Sequence, residues 1–259
     1  MFQPRRNPNP FGQPFAVARQ AYGSSIISIA SLVRWYEADH GVWSDTAGTT
    51  PASANGSVQR WDDRSNNAAH ATQATASLLP TLRSAGLNGR AGLEFASNFS
   101  STRDQLNFTS ITLSNFTVFL VYSAPNFGVA SYIIGNANSG IVSGATYTNP
   151  DAGAFAVASL NIRGSTNTST APRLVSHTNS SVRYGGVDAT YLGSWGVGES
   201  NAPVAGLILD RIGGRGVSGL DFNGILSAIL VFNENLSNAN MNIVGQYLAD
   251  KYSFTWTNV

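Results

Sequence analysis

The chain contains no cysteine, one lysine (Lys251) against fourteen arginines, and four glutamates in 259 residues. Without thiols there is no disulfide scaffold, no Cys-x-x-Cys zinc site and no thiol nucleophile, and the redox compartment stays open. Charge is scarce altogether: Asp, Glu, Lys and Arg make up 11% of the residues and the formal net charge is +1, where an average domain carries ~25% charged residues. No basic run extends beyond Arg5-Arg6, so the electrostatic footprint of a nucleic-acid binder is missing and no such partner is expected. Apolar runs such as Phe116–Tyr122 (FTVFLVY) fall far short of the ~20 residues of a membrane helix, and no membrane association is expected. Met1–Pro14 holds the arginine pair but also four prolines and no apolar segment, so it is not expected to act as a secretory signal.

What is abundant is neutral and polar: 31 Ser, 19 Thr and 24 Asn. The surface should be uncharged, while 42% apolar residues supply enough core to offset chain entropy and exclude disorder. Arginine tolerates partial desolvation and makes forked contacts, so its excess over lysine points to surface committed to interfaces. Codon bias explains the same ratio.

Pro4, Pro8, Pro10 and Pro14 block a helix start, and residues 1–28 are expected to form an extended arm. Phe2, Phe11 and Phe15 would be its apolar pegs and Arg5 and Arg6 its charged contacts, together anchoring the protein to a larger assembly. Residues 29–259 should be one β domain, because short Val-, Ile-, Phe- and Thr-rich runs alternate with Gly, Asn and Pro. Strands are expected at Leu32–Ala38, Ser57–Asp63, Ala91–Ser97, Ile111–Ser123, Ala130–Gly135, Phe155–Ile162, Arg173–His177, Val187–Leu192, Val204–Ile212 and Gly224–Phe232. Around Thr117–Tyr122 both faces are apolar, which predicts a central strand covered on both sides. The single helix follows a Ser237 N-cap, with Met241, Val244, Leu248 and Tyr252 at helical spacing. Gly245 costs it ~1 kcal/mol relative to alanine, so docking must hold it, and it is expected at the end of the sandwich. No internal repeat is visible.

Three segments carry a family resemblance. They are Leu32–Asp39 (LVRWYEAD), Ser57–Leu82 followed by Gly86–Phe95, and Phe222–Tyr252. Their motif residues are Trp35-Tyr36 with Glu37 and Asp39; Gln59, Trp61, Asp63, Ser65 and Asn67; His70-Ala71-Thr72-Gln73, Pro80 and Asn88-Gly89; then Gly224, Ile229, Val231, Leu236-Ser237 and Tyr247-Leu248. Over roughly Leu32–Tyr252 the chain resembles the laminin-G-like, concanavalin A-like jelly-roll domains of phage virion and bacterial surface proteins. It departs from them at the helix start, where Asn238 and Asn240 stand in place of acids. The resemblance implies an all-β, antiparallel two-sheet jelly-roll sandwich with one C-terminal helix. It does not fix a function. Trp61 should pack inward, Asp63, Ser65 and Asn67 should hold a turn through side-chain to backbone bonds, and His70 should pin the loop.

Some jelly-roll proteins are hydrolases or lyases, which need two facing carboxylates. The nearest match, Glu37-Ala38-Asp39, puts two acids on one strand face but lacks a third, and no enzyme activity is expected. His40, His70 and His177 are scattered, no Gly-x-Ser-x-Gly elbow occurs, and Gly213–Gly219 (GGRGVSG) lacks the lysine of a phosphate loop and reads as a turn. A calcium site would draw on Asp39, Asp45, Asp62 or Asp188, but no ligand spacing supports it; no metal and no cofactor are expected. The surface suits sugar binding, which combines flat aromatics with polar donors and acceptors. The candidates are Trp43, and Asp188 with Tyr191 and Trp195. Sequons at Asn98, Asn107, Asn115, Asn167, Asn179 and Asn235 are read as a product of composition.

Two functions fit. The first is a phage virion structural protein, such as a capsid decoration, head-fibre or tail component. It would be located in the virion, attached through its arm to other virion proteins and to copies of itself, with surface glycans as a further contact. The second is a non-catalytic carbohydrate-binding module of a bacterial surface or secreted protein.

Overall fold

Turn-bounded runs of β-branched and aromatic residues fold into two stacked antiparallel sheets. The computed structural model describes residues 23–96, 103–124, 131–137, 139–143, 154–157, 160–163, 172–179, 182–185, 187–188, 207–214 and 221–259. In chain order the strands are β1 (Leu32–Glu37), β2 (Val42–Trp43), β3 (Arg60–Trp61), β4 (Ala71–Thr72), β5 (Thr81–Leu87), β6 (Arg90–Phe95), β7 (Leu106–Leu113), β8 (Thr117–Ser123) and β9 (Ser131–Gly135). They continue as β10 (Ser139–Ser143), β11 (Ala154–Val157), β12 (Leu160–Arg163), β13 (Arg173–Thr178), β14 (Val182–Tyr184), β15 (Val187–Asp188), β16 (Leu207–Ile212) and β17 (Gly224–Phe232). The first sheet runs β15-β14-β13-β8-β17-β6-β5, with β1 also paired to β17; the second runs β12-β11-β10-β9-β16-β7-β4-β3-β2. One helix, α1 (Asn238–Tyr252), follows β17.

The alternation of β8 sorts its side chains into two cores. Val118, Leu120 and Tyr122 point between the sheets, where they join Trp61, Leu93, Phe95, Leu209 and Phe222. Phe119 and Val121 point the other way, into a second cluster with Leu230, Met241, Val244, Leu248 and Tyr252. The strand is therefore buried on both faces and central between β13 and β17, as its pattern predicts. Helix α1 lies over the outer face of the first sheet, and not at the end of the sandwich as expected. Phe119 and Val121 of β8 and Leu230 and Phe232 of β17 must be covered on this face, and a helix stripe is what covers them.

The helix begins where the sequence places it. The Ser237 side chain accepts a hydrogen bond from the Asn240 N–H at 3.3 Å. Its last turn is closed by Ser253 in the left-handed region, with φ 59°. Asn88 and Gly89 also have positive φ, 48° and 74°, and turn β5 back onto β6 as an Asn-Gly pair does. From that hairpin tip the Asn88 amide donates to the Tyr252 carbonyl at 2.7 Å, satisfying the helix C-terminus.

Four expectations are corrected. The Ile111–Ser123 run is two strands, β7 and β8, separated at residues 114–116, where Asn179 accepts from the Phe116 N–H and donates to the Ser114 carbonyl, each at 2.8 Å. The Phe155–Ile162 run is likewise a hairpin, β11 paired with β12. Within Ser57–Asp63 only Arg60 and Trp61 are strand. Of the arm expected over residues 1–28, residues 1–22 lie outside the described residues, and residues 23–27 are helical where an extended chain was expected; Ile26 and Ile29 are buried in the cluster under α1. Apolar side chains at this spacing favour a docked turn over an extended arm. Among the described residues no helix is long and apolar enough to cross a membrane.

Candidate functional site

Strand β17 is shared end to end by two partners on one edge. It pairs with β1 from Phe232 to Ala228 and with β6 from Leu226 to Gly224. The chain leaves the first sheet where one partner gives way to the other. The Ala38 N–H still bonds the Ser227 carbonyl, and Gly41, with φ 59°, then turns the backbone into β2, the edge of the second sheet. A glycine is required there because a Cβ would run into the Asp62 side chain. This crossover leaves a groove of about 430 Å³ between the two sheet edges. The turn from Ala38 to Gly41 and strand β2 with Pro51 form one wall, and Leu82, Ser84 and Ala91 of β5 and β6 form the other.

Trp43 is held at this groove. Its indole N–H donates to Asp62 Oδ2 at 2.8 Å. The other carboxylate oxygen accepts from Arg60 Nε at 2.6 Å and lies 2.9 Å from His70 Nδ1. Across the strand pair Trp43 faces Arg60, and it bridges to Pro51 on its free side. The Arg60 guanidinium also donates to the Ala47 carbonyl at 2.9 Å, which draws the 44–50 loop over it. That loop is closed by Asp45, whose carboxylate accepts from the N–H groups of Gly48, Thr49 and Thr50. The bonds from Thr49 and Thr50 hold its pKa well below the usual carboxylate range. A half-buried indole with a fixed ring nitrogen is a rigid amphipathic surface that loses little entropy on binding.

The loop from Trp61 to His70 behaves as its sequence implies. Trp61 is fully buried and donates to the Glu37 carbonyl at 2.9 Å. The Asp63 carboxylate accepts from the N–H groups of Trp35, Ser65 and Ala69 and from the Ser65 hydroxyl. Asn67 donates to the Val33 carbonyl at 3.2 Å. His70 Nδ1 accepts from the Asp63 N–H at 3.2 Å and stands beside Asp62, so it is the pin between loop and strand.

The pair that most resembled catalytic acids has another use. Glu37 is sealed from solvent. It binds Arg64 through Oε2, the Tyr247 hydroxyl through both oxygens at 2.8 and 3.1 Å, and Lys251 Nζ through Oε1 at 3.0 Å. Arg64 also stacks on the Trp35 ring at 4.2 Å. Asp39 takes the other side of the same lysine, with Oδ1 2.9 Å from Nζ. The chain's one lysine thus docks α1 onto Glu37 at the end of β1 and onto Asp39 in the turn that follows. Burial lowers the Lys251 pKa, against the raising effect of Asp39. Glu37 is 0% exposed and Asp39 42%, so only Asp39, which also lines the groove, can meet a ligand.

Of the other expected site residues, Asp188 closes strand β15, paired with Arg183. Tyr191, Trp195 and the anchoring set Phe2, Arg5, Arg6, Phe11 and Phe15 lie outside the described residues. Among the described residues no group of three or more His, Asp or Glu side chains is placed to hold a metal ion. Sequence reasoning missed Asp39 and His40 as groove residues and the whole β5–β6 wall. The only signal for that wall was the Asn88-Gly89 hairpin turn, which marks two flanking strands without saying what they face.

The fold is an all-β two-sheet antiparallel sandwich with one C-terminal helix. No protein-family profile matches the chain, and no curated protein matches it in sequence. Solved structures similar to it include a Trypanosoma rangeli sialidase, at 15% identity and TM-score 0.45 over 93% of this chain and 39% of that one. Another is the binding domain of Paraclostridial Mosquitocidal Protein 1, at 11% identity and TM-score 0.49 over 85% and 52%. A third is domain 4 of AbnA, an extracellular arabinanase from Geobacillus stearothermophilus in complex with arabinotriose, at 12% identity and TM-score 0.42 over 82% and 96%. The chain thus spans about two-fifths of the length of the sialidase.

Proposed function

We propose that this chain is a non-catalytic glycan-binding β-sandwich of the concanavalin A-like type and that the groove at the sheet crossover is its binding site. The observation that carries the reading is Trp43, fixed by Asp62 at a groove that also presents Asp39 and His40. An aromatic surface takes the C–H face of a sugar while neighbouring polar groups take its hydroxyls. The two acids that would have suggested hydrolysis are engaged in docking α1, which favours binding over turnover. A glycan array followed by calorimetry tests this. Trp43→Ala should weaken binding of the best array ligand about tenfold or more, and Trp43→Phe should retain part of it. Absence of binding to every glycan, or indifference to Trp43→Ala, would refute the reading.

A second reading concerns setting. The proline-rich residues 1–22 with Phe2, Phe11 and Phe15, the arginine bias and the phage-type resemblance favour a virion component, held by that segment to other virion proteins or to copies of itself. Deleting residues 1–22 should abolish particle attachment and leave the sandwich folded. Unchanged attachment would eliminate this reading.

A further inference from the structure

We infer that the groove selects uncharged sugars and that Asp39, held in place by Lys251, is the residue that reads their hydroxyl groups. The inference rests on the glycan-binding reading above and adds the ligand class and a specificity-determining residue.

Among the described residues, Asp39 is the one formally charged side chain lining the groove, and the neighbouring cations are either paired or turned away. Arg60 is bound to Asp62 and the Ala47 carbonyl. Arg64 is bound to Glu37, and Arg83 to Glu94 and Asn55. Lys251 sits between Glu37 and Asp39 with 12% of its side chain exposed. Arg90 precedes Ala91 on β6, so strand alternation turns it to the opposite face, the side on which its charge acts on Lys251 and Tyr252. A carboxylated or sulfated sugar needs a forked or desolvated cation. Here it would meet a carboxylate instead, at a cost that excludes wrong ligands more than it favours right ones.

Asp39 has the form of a hydroxyl acceptor. One oxygen is tied to Lys251, the side chain is 42% exposed, and a carboxylate has lone pairs enough for two further donors. Hydroxyl-to-carboxylate bonds are short and about twice as strong as neutral ones. Lys251 is itself fixed by the buried Glu37 and by Tyr247. The carboxylate is therefore set before the ligand arrives, which removes the ordering cost a free surface aspartate would incur. Lys251 is a positioning residue: it touches Asp39 and not the sugar.

The test is calorimetric titration of the full chain. Cellotriose, xylotriose, mannotriose and N-acetylchitotriose represent neutral sugars, and sialyllactose and trigalacturonic acid represent anionic ones. Wild type should bind at least one neutral sugar and bind the anionic ones about tenfold or more weakly. Asp39→Asn should weaken the neutral ligand about tenfold and narrow the gap to the anionic ones. Lys251→Gln should also weaken the neutral ligand but keep or widen the gap, because it removes a positive charge, and Lys251→Arg should restore affinity. A structural loss would weaken all ligands alike, and thermal melting separates that case. Equal or tighter binding of the anionic sugars by wild type, or an unchanged Kd in Asp39→Asn, overturns the inference while leaving glycan binding intact. Binding of no sugar by wild type, or binding unaffected by Trp43→Ala, overturns both.

Discussion

Alanine at position 245 should destabilise this protein although helix propensity says the opposite. In an exposed helix interior, glycine to alanine gains ~1 kcal/mol. Gly245 is buried in α1, and a Cβ built on it would fall inside the Trp256 indole, against Cε2, Cδ2 and Cζ2. That indole cannot retreat freely. It is 8% exposed, its N–H donates to Asn242 Oδ1 at 3.1 Å, and its ring lies 5.9 Å from that of Phe119. Asn242 Oδ1 also accepts from the Val259 N–H at 2.9 Å, so the whole 253–259 tail is fastened through the same contact. Overpacking of ~1–3 kcal/mol, together with the loss of part of a buried tryptophan's ~3–5 kcal/mol, outweighs the propensity gain. The expected net loss for Gly245→Ala is ~2 kcal/mol. Urea unfolding reads it as a lower midpoint at constant slope. In a Trp256→Ala background the same substitution should become stabilising by ~1 kcal/mol. A single Gly245→Ala variant as stable as wild type, or more stable, would refute the reasoning.

Two buried groups give opposite pH dependences. Burial lowers the His177 pKa to about 3, so the unfolded chain takes up a proton first as pH falls below about 6.5, and stability is lost by at most ~1.4 kcal/mol per pH unit. His177→Gln should flatten the stability curve between roughly pH 6 and 4, and an unchanged slope would contradict this. Burial, with the Glu94 charge adding to it, raises Asp104 to about 6 despite its bond from the Ala96 N–H. Its contribution is fully present below about pH 4 and lost as pH rises through 6. Asp104→Asn keeps the acceptor, so it should raise stability at pH 8 by ~1 kcal/mol after allowance for solvent screening and change little at pH 4; the reverse pattern would refute the sign. Asp63→Ala strips four donors of their acceptor and should cost ~3 kcal/mol or more, read by thermal melting.

Elements whose residues satisfy local and tertiary demands together were legible. Gly224–Phe232 is a strand to the residue, because a nine-residue run of small and apolar side chains, bounded by turn residues, fits a sheet interior buried on both faces. Ser237 and the Met241-Val244-Leu248-Tyr252 stripe likewise marked α1 and its buried side. Boundaries failed where a turn carried weak chemistry. Ser114-Asn115 contains neither Gly nor Pro, and where the chain crosses there from the second sheet to the first it is held by bonds from Asn179, sixty-odd residues away. The same asparagine lies in a sequon but is buried in those contacts, which agrees with a compositional origin. At the site, Trp43 was legible as a lone aromatic beside turn residues. The groove was not, because it arises from strand order: β1 and β6 share one edge of β17, and no local pattern encodes that they meet. Glu37 and Asp39 were visible as an alternating acid pair, but their partner Lys251 is over two hundred residues away.

The most direct test of the account is amide chemical-shift mapping of the isotopically labelled protein titrated with the tightest-binding neutral trisaccharide of the panel above. Saturable shifts should cluster on Asp39–Trp43 and on Leu82–Ala91, together with the Trp43 indole N–H, and vanish in Trp43→Ala. Shifts centred elsewhere on the sandwich, or none at saturating sugar, would contradict the claim that the crossover groove is the binding site.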